Sequence, residues 1–200
     1  MMRIAEIIES STQSFVAGSY ELLAAPAFGA LVQAHTLDPQ VQVYAVVYDI
    51  RTVSREPGGR AVVRGKSYTG QELFNDEIYR AHPDLSEVLQ TEFAAWVVGY
   101  RRDTTVYQRI PAAPPPVHYS VEVCDDVTLR QFGAQSGYAR MLLQASQVPS
   151  DELLAALIRA IADAHAPNER EYLVRVGREL ALLLRDDFER LRQILARLTS

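Results

Sequence analysis

Lys66 is the only lysine in the chain, and it sits in the stretch whose spacing most invites a chemical reading, Gly59-Arg60-Ala61-Val62-Val63-Arg64-Gly65-Lys66-Ser67. A phosphate-binding loop needs G-x-x-x-x-G-K-[ST]: its glycines let backbone N–H groups curl around phosphate, and its lysine reaches the terminal phosphates. With Gly65-Lys66-Ser67 as its end, the first glycine would stand at position 60, where the chain carries Arg60. Gly59 is one residue too far away, and Ala61, Val62 and Val63 have strand character where a loop is required. No apolar strand ending in aspartate follows that could hold magnesium. Nucleotide hydrolysis is therefore not expected of this chain. What remains is a basic cluster, Arg60, Arg64 and Lys66 with Tyr68 beside it, suited to a nucleic acid backbone or an acidic protein surface. Arg101-Arg102 forms a second, smaller cluster.

The other reactive side chains do not assemble into a site by spacing. His35, His82, His118 and His165 include no i,i+4 pair and no H-E-x-x-H, so a metal would need ligands from distant elements, and none is expected. Cys124 is followed by Asp125 and Asp126, whose charges raise a thiol pKa and weaken the thiolate, so a buried structural cysteine is the expectation. Asp186, Asp187 and Glu189 are interleaved with Arg185, Arg190 and Arg192, the pattern of ion pairs on a helix surface. Ser136-Gly137 lacks the surrounding glycine pattern of a nucleophile elbow. No catalytic residue, metal ligand or cofactor is assigned.

These residues must be carried by a chain of 200 residues that is 48% hydrophobic, with 20 basic against 25 acidic side chains and a net charge of -5. Such a chain can bury a real core and is not disordered. Its acidity argues against a protein devoted to coating duplex DNA or anionic lipid. One cysteine excludes a disulfide framework. The opening residues are charged early and lack an apolar signal core, and no run approaches the ~18 apolar residues of a membrane span. A cytoplasmic location is expected.

The first half reads as short strands separated by turns: 3–10, 14–20, 29–36 and 41–53, with a further short strand at 61–64. In the segment 41–53, Val41, Val43, Ala45 and Val47 lie on one face and Tyr44, Val46, Tyr48 and Ile50 on the other, so both faces must be covered. A helical insert at 83–92 is expected, with Pro83 at its first position, followed by strand at 93–100 and its antiparallel partner at 104–110. The proline run Pro111-Ala-Ala-Pro-Pro-Pro116 runs extended and marks the end of the β part. Beyond it the chain turns helical. Asp126 caps a segment ending near Phe132, Gly137 opens another, and Ser150 caps a helix that stops before Pro167. Asn168 and Glu171 form a capping box for a last helix of thirty or so residues, roughly 45 Å long. The expected fold class is α+β: a small β-barrel with a helical insert in 1–116, then an α-helical region in 117–200.

The blocks Ile4-Ala5-Glu6-Ile7-Ile8-Glu9-Ser10-Ser11-Thr12, Phe15-Val16-Ala17, Phe28-Gly29-Ala30-Leu31-Val32 and Val43-Tyr44-Ala45-Val46-Val47-Tyr48-Asp49-Ile50 occur in the order of a HAS-barrel. The chain resembles this small barrel, shared by HerA-type DNA-translocating ATPases and ATP synthase catalytic subunits, over about 3–110. The helical part, including Tyr172-Leu-Val-Arg-Val-Gly-Arg-Glu-Leu-Ala181, is similar to stand-alone bacterial HAS-barrel proteins without an ATPase core. The resemblance implies a barrel that works with a partner: a HerA-like ring ATPase or its associated nuclease.

The expected function is a non-catalytic adapter or assembly module that docks onto another protein. The alternative is a nucleic-acid-binding module using the loop around Arg60 to Lys66. An enzyme built from scattered residues has no positive support. The apolar stripe of the last helix outruns its neighbour, so Phe188, Leu191, Leu195 and Leu198 are candidates for a docking surface or a homo-oligomer seam.

Overall fold

The computed structural model describes residues 2–66, 70 and 72–198. Alternating apolar residues shape the first half into strands whose inward side chains meet across a closed sheet. The strands are β1 (Arg3–Ser10), β2 (Ser14–Ser19), β3 (Leu31–His35), β4 (Val41–Ser54), β5 (Leu89–Arg102), β6 (Thr105–Tyr107) and β7 (Ser120–Val123). Neighbours run β2-β1-β7-β3-β4-β5, all antiparallel, and β5 pairs back onto β2 to close a six-stranded barrel. β6 is a hairpin extension on the far end of β5. Ile7, Phe15, Val32, Val43, Phe93 and Val121, one from each barrel strand, are buried together inside it. Closure removes most of the unpaired edges that an open sheet would expose.

The long strand β4 carries the logic of its two apolar faces. Val43, Ala45 and Val47 point into the barrel. Tyr44 and Val46 point outward into a second core shared with the helices. Ile50 does not continue that outer face: a bulge between Val47 and Asp49 shifts the register and sets Ile50 opposite Phe93, where it is 42% exposed.

Two boundaries differ from the sequence expectation. The barrel does not end at 116, because β7 fills the gap between β1 and β3, with Val121 opposite both Ala5 and Ala34. The proline run is the strap that carries the chain to this last strand, held where Ser10 Oγ donates to the Pro115 carbonyl at 2.6 Å. A four-residue strand is too short to stand out by periodicity next to a helical region. The insert also differs. No strand forms at 61–64; instead helices α1 (Asp76–Ala81) and α2 (Leu85–Val88) form, Pro83 precedes α2, and β5 already begins at Leu89. Pairing with β4 over Leu89 to Thr91 overrides the local helical pattern there.

The remaining helices, α3 (Asp126–Phe132), α4 (Gly137–Leu143), α5 (Ser150–Ala164), α6 (Glu169–Leu183) and α7 (Phe188–Leu198), cover the outer face of the barrel. α5 is the hub, with Leu153, Leu154, Leu157, Ile158 and Ile161 fully buried. It approaches the barrel so closely that a Cβ on Gly29, itself at φ +85°, would lie 2.3 Å from the Ala156 Cβ. The expected thirty-residue rod is broken. α6 stops at Leu183, and Asp187 starts α7 by accepting the Arg190 N–H at 3.1 Å. Arg190 in turn clamps Asp151 at the start of α5, at 2.7 Å. The break lets α7 fold back along α5, so that Leu191 and Ile194 join the core that a straight rod would have left behind.

Caps also shift by one residue. Asp125, not Asp126, caps α3, its carboxylate accepting from the Thr128 N–H at 2.9 Å and the Thr128 hydroxyl at 2.7 Å. Asn168 sits at the cap of α6 but makes no side-chain cap bond, and Pro149 holds the cap position before Ser150. The bonds from Thr128 hold the Asp125 carboxyl below its ordinary pKa. A group with a lowered folded pKa stabilises above its unfolded value, about 3.9, and loses that contribution as pH falls through the lowered one. Asp125→Ala should cost about 1 kcal/mol at neutral pH, by urea denaturation, with the difference from wild type shrinking in acid below that range.

Candidate groove in the insert between the long strands

The residues between β4 and β5 fold back over the end of the β4–β5 ladder and enclose a cavity of about 650 Å³. Its floor is the ladder end and α2, with Ser54, Leu85, Val88 and Leu89; its walls include Leu73, Phe74, Ile78 and Tyr79. Arg60, Arg64 and Lys66 line it, so the basic cluster read from sequence is brought to one place; Tyr68 lies outside the described residues. The cations are not equivalent. Arg64 is paired with Asp84 at 2.9 Å, and Lys66 with Glu72 at 3.1 Å. Arg60 is exposed and has no ion pair among the described residues. Among the described residues the first helix after Lys66 begins at Asp76, so no described helix N-terminus stands next to Lys66 as it does in a phosphate loop.

The apolar component was not assigned from sequence. Val62 and Val63 are 79% and 86% exposed between Arg60 and Arg64, and Phe74, 57% exposed, lines the same cavity. The available signal was a valine pair bracketed by arginines, which reads as a strand; the fold leaves it without a strand partner among the described residues. A cavity of this size, apolar with a few charges at its rim, falls within the ~300–1,000 Å³ range of ligand pockets.

The C-terminal candidates divide. Leu191 is buried and Leu198 half-buried against the helical core, while Phe188 is 72% exposed and Leu195 lies at the surface. These four do not share one open face. Elsewhere, Cys124 is buried with its Sγ 3.8 Å from the Gln33 Oε1; burial first, then Asp125 and Glu122, push its thiol well above the usual range. The hydroxyls of Tyr138 and Tyr172 meet at 2.8 Å in the helical core, and His165 stacks on Tyr172 at 4.6 Å. Burial raises both phenols, Tyr172 to about 12, so the pair stays protonated and pins α4 to α6. Glu189 pairs with Arg192 along α7, as helix-surface charges do, whereas Asp186 pairs with its neighbour Arg185 in the turn between α6 and α7 and not on the helix face expected from sequence. Among the described residues no three His, Cys, Asp or Glu side chains cluster for a metal, and no helix is long and apolar enough to cross a membrane.

Neither the protein-family models nor the curated proteins contain a match to this chain.

Proposed function

We propose that the chain is a non-catalytic adapter in which the closed barrel is a rigid platform and the groove of the insert receives a segment of a partner protein. The observation that carries this reading is the gathering of exposed Val62, Val63 and Phe74 around a cavity that Arg60 lines without an ion pair among the described residues. Exposed apolar side chains grouped in one concavity are the usual mark of an interaction site. The resemblance to a HAS-barrel adds the partner class: a ring ATPase of the HerA type, which would supply the motor, or its associated nuclease. Nucleic acid is the less favoured occupant, since Arg64 and Lys66 already have carboxylate partners and the whole chain is acidic.

Affinity capture from the native organism with mass spectrometry, run in parallel on wild type and Val63→Asp, tests this reading. A protein held by wild type and lost with Val63→Asp is the expected result, with unchanged circular dichroism because Val63 is exposed. Saturable, salt-dependent binding of a labelled oligonucleotide that is lost on Arg60→Glu would transfer the groove to the alternative reading.

A further inference from the structure

The barrel is closed, yet one of its strands outruns its neighbour. β3 pairs with β4 only between Gln42 and Val46. The last backbone bonds on that side are the Val47 N–H to the Ala30 carbonyl at 3.0 Å and the Gly29 N–H to the Val47 carbonyl at 2.8 Å. β4 continues to Ser54, held on its other side by β5 as far as the Ser54–Leu89 pair. From Tyr48 to Ser54 one edge of β4 therefore carries no strand among the described residues, and Asp49, Ile50, Arg51 and Thr52 are all exposed. Proteins commonly blunt such an edge with a bulge, which here lies at its start between Val47 and Asp49, or block it with lysine or proline. Neither lysine nor proline occurs between 48 and 54.

We propose that a second copy of this chain adds to the open edge of β4, the two copies running antiparallel about a two-fold axis at Ile50. The charges select this occupant and this register. About Ile50, each Asp49 stands opposite the second copy's Arg51, and each Arg51 opposite its Asp49. Shifting the axis by one residue, onto Arg51, sets arginine against arginine, and like charges directly opposite destabilise an antiparallel pair. Arg51 already reaches across to Glu92 on β5, with Nη2 at 2.9 Å and Nε at 3.0 Å from the same oxygen. Pairing therefore extends a Glu92–Arg51 row by one more carboxylate, twice over. Asp49 has no hydrogen bond or ion pair through its side chain among the described residues. Ile50, an exposed large apolar side chain at 42%, meets its own copy at the axis. An isologous contact of this kind closes on itself and stops at two chains. Asp49, Ile50 and Arg51, which carry the pairing, line neither the groove, whose share of this strand is Ser54, nor α7, so its failure would leave the adapter reading standing.

Sedimentation velocity on the full chain tests the pairing. Wild type should dimerise at concentrations on the order of tens of micromolar, as expected of a small polar interface. Asp49→Arg presents two arginines and Arg51→Asp two aspartates, so each alone should weaken dimerisation at least about tenfold. An equimolar mixture of the two variants should recover a dimer, because two arginines then face two aspartates. Circular dichroism should match wild type throughout, since both side chains are exposed. A wild type that stays monomeric at about 100 µM overturns the proposal. So does a dimer that survives both single variants, or one abolished instead by Phe188→Asp.

Discussion

Ile194→Asp should abolish the cooperative thermal transition, while Leu195→Asp, one residue along, should keep it within a few degrees of wild type. Ile194 is fully buried in the core that α7 shares with α5 and α6; Leu195 is 36% exposed. An aspartate at 194 either carries a charge into that core or takes up a proton to avoid doing so, and both routes cost several kcal/mol. A loss above about 4 kcal/mol is comparable to the whole stability of many domains. At 195 the carboxylate can reach water, and the expected loss is about 1 kcal/mol. The pair tests the break at Leu184 to Asp187 directly. In an unbroken rod the end of the helix would project beyond α5, and both substitutions would be tolerated. Calorimetry on the two variants reads the answer, and equal tolerance would place α7 elsewhere.

Gly29→Ala should destabilise by about 2–5 kcal/mol, unusually large for the addition of one methyl group. Two causes add. Gly29 has φ +85°, a left-handed conformation that costs an L-residue roughly 1–2 kcal/mol. Its new Cβ would also stand 2.3 Å from the Ala156 Cβ, on the helix that forms the hub of the second core. Overpacking of that kind costs about 1–3 kcal/mol. The two causes separate in a double-mutant cycle. Ala156→Gly alone should cost about 1 kcal/mol in helix propensity, yet in the Gly29→Ala background it should restore the overpacking part. A favourable coupling of about 1–3 kcal/mol in denaturant titrations is the expected result. Simple additivity would mean that the backbone angle alone makes this glycine necessary.

Much of the molecule was legible because its elements obey local rules. Ile7, Phe15, Val32 and Phe93 sit at period two, and α5 carries Leu153, Leu154, Leu157, Ile158 and Ile161 at helical spacing, so strands and helix followed from pattern alone. The two apolar faces of β4 required cover on both sides, and barrel interior and helices each supplied one. The basic residues at 60, 64 and 66 were visible as a cluster, but their partners Asp84 and Glu72 come from beyond the loop, and only the folded insert pairs them.

What local pattern could not contain are the consequences of distant contact. β7 is four residues long, and nothing in Ser120 to Val123 marks it as the strand that fills the gap between β1 and β3. The stripe from Leu173 to Leu198 keeps its helical period across the break, because periodicity reports which side chains want burial and not what they are buried against. The break follows from α5 being too short to cover a straight rod, while Arg190 finds Asp151 only if the chain turns back. Hydrophobic period is a property of neighbours in sequence, and it set the elements; closure, the turn of α7 and the open edge of β4 arise where strands and helices of unequal length must share one core, and were settled only by their packing.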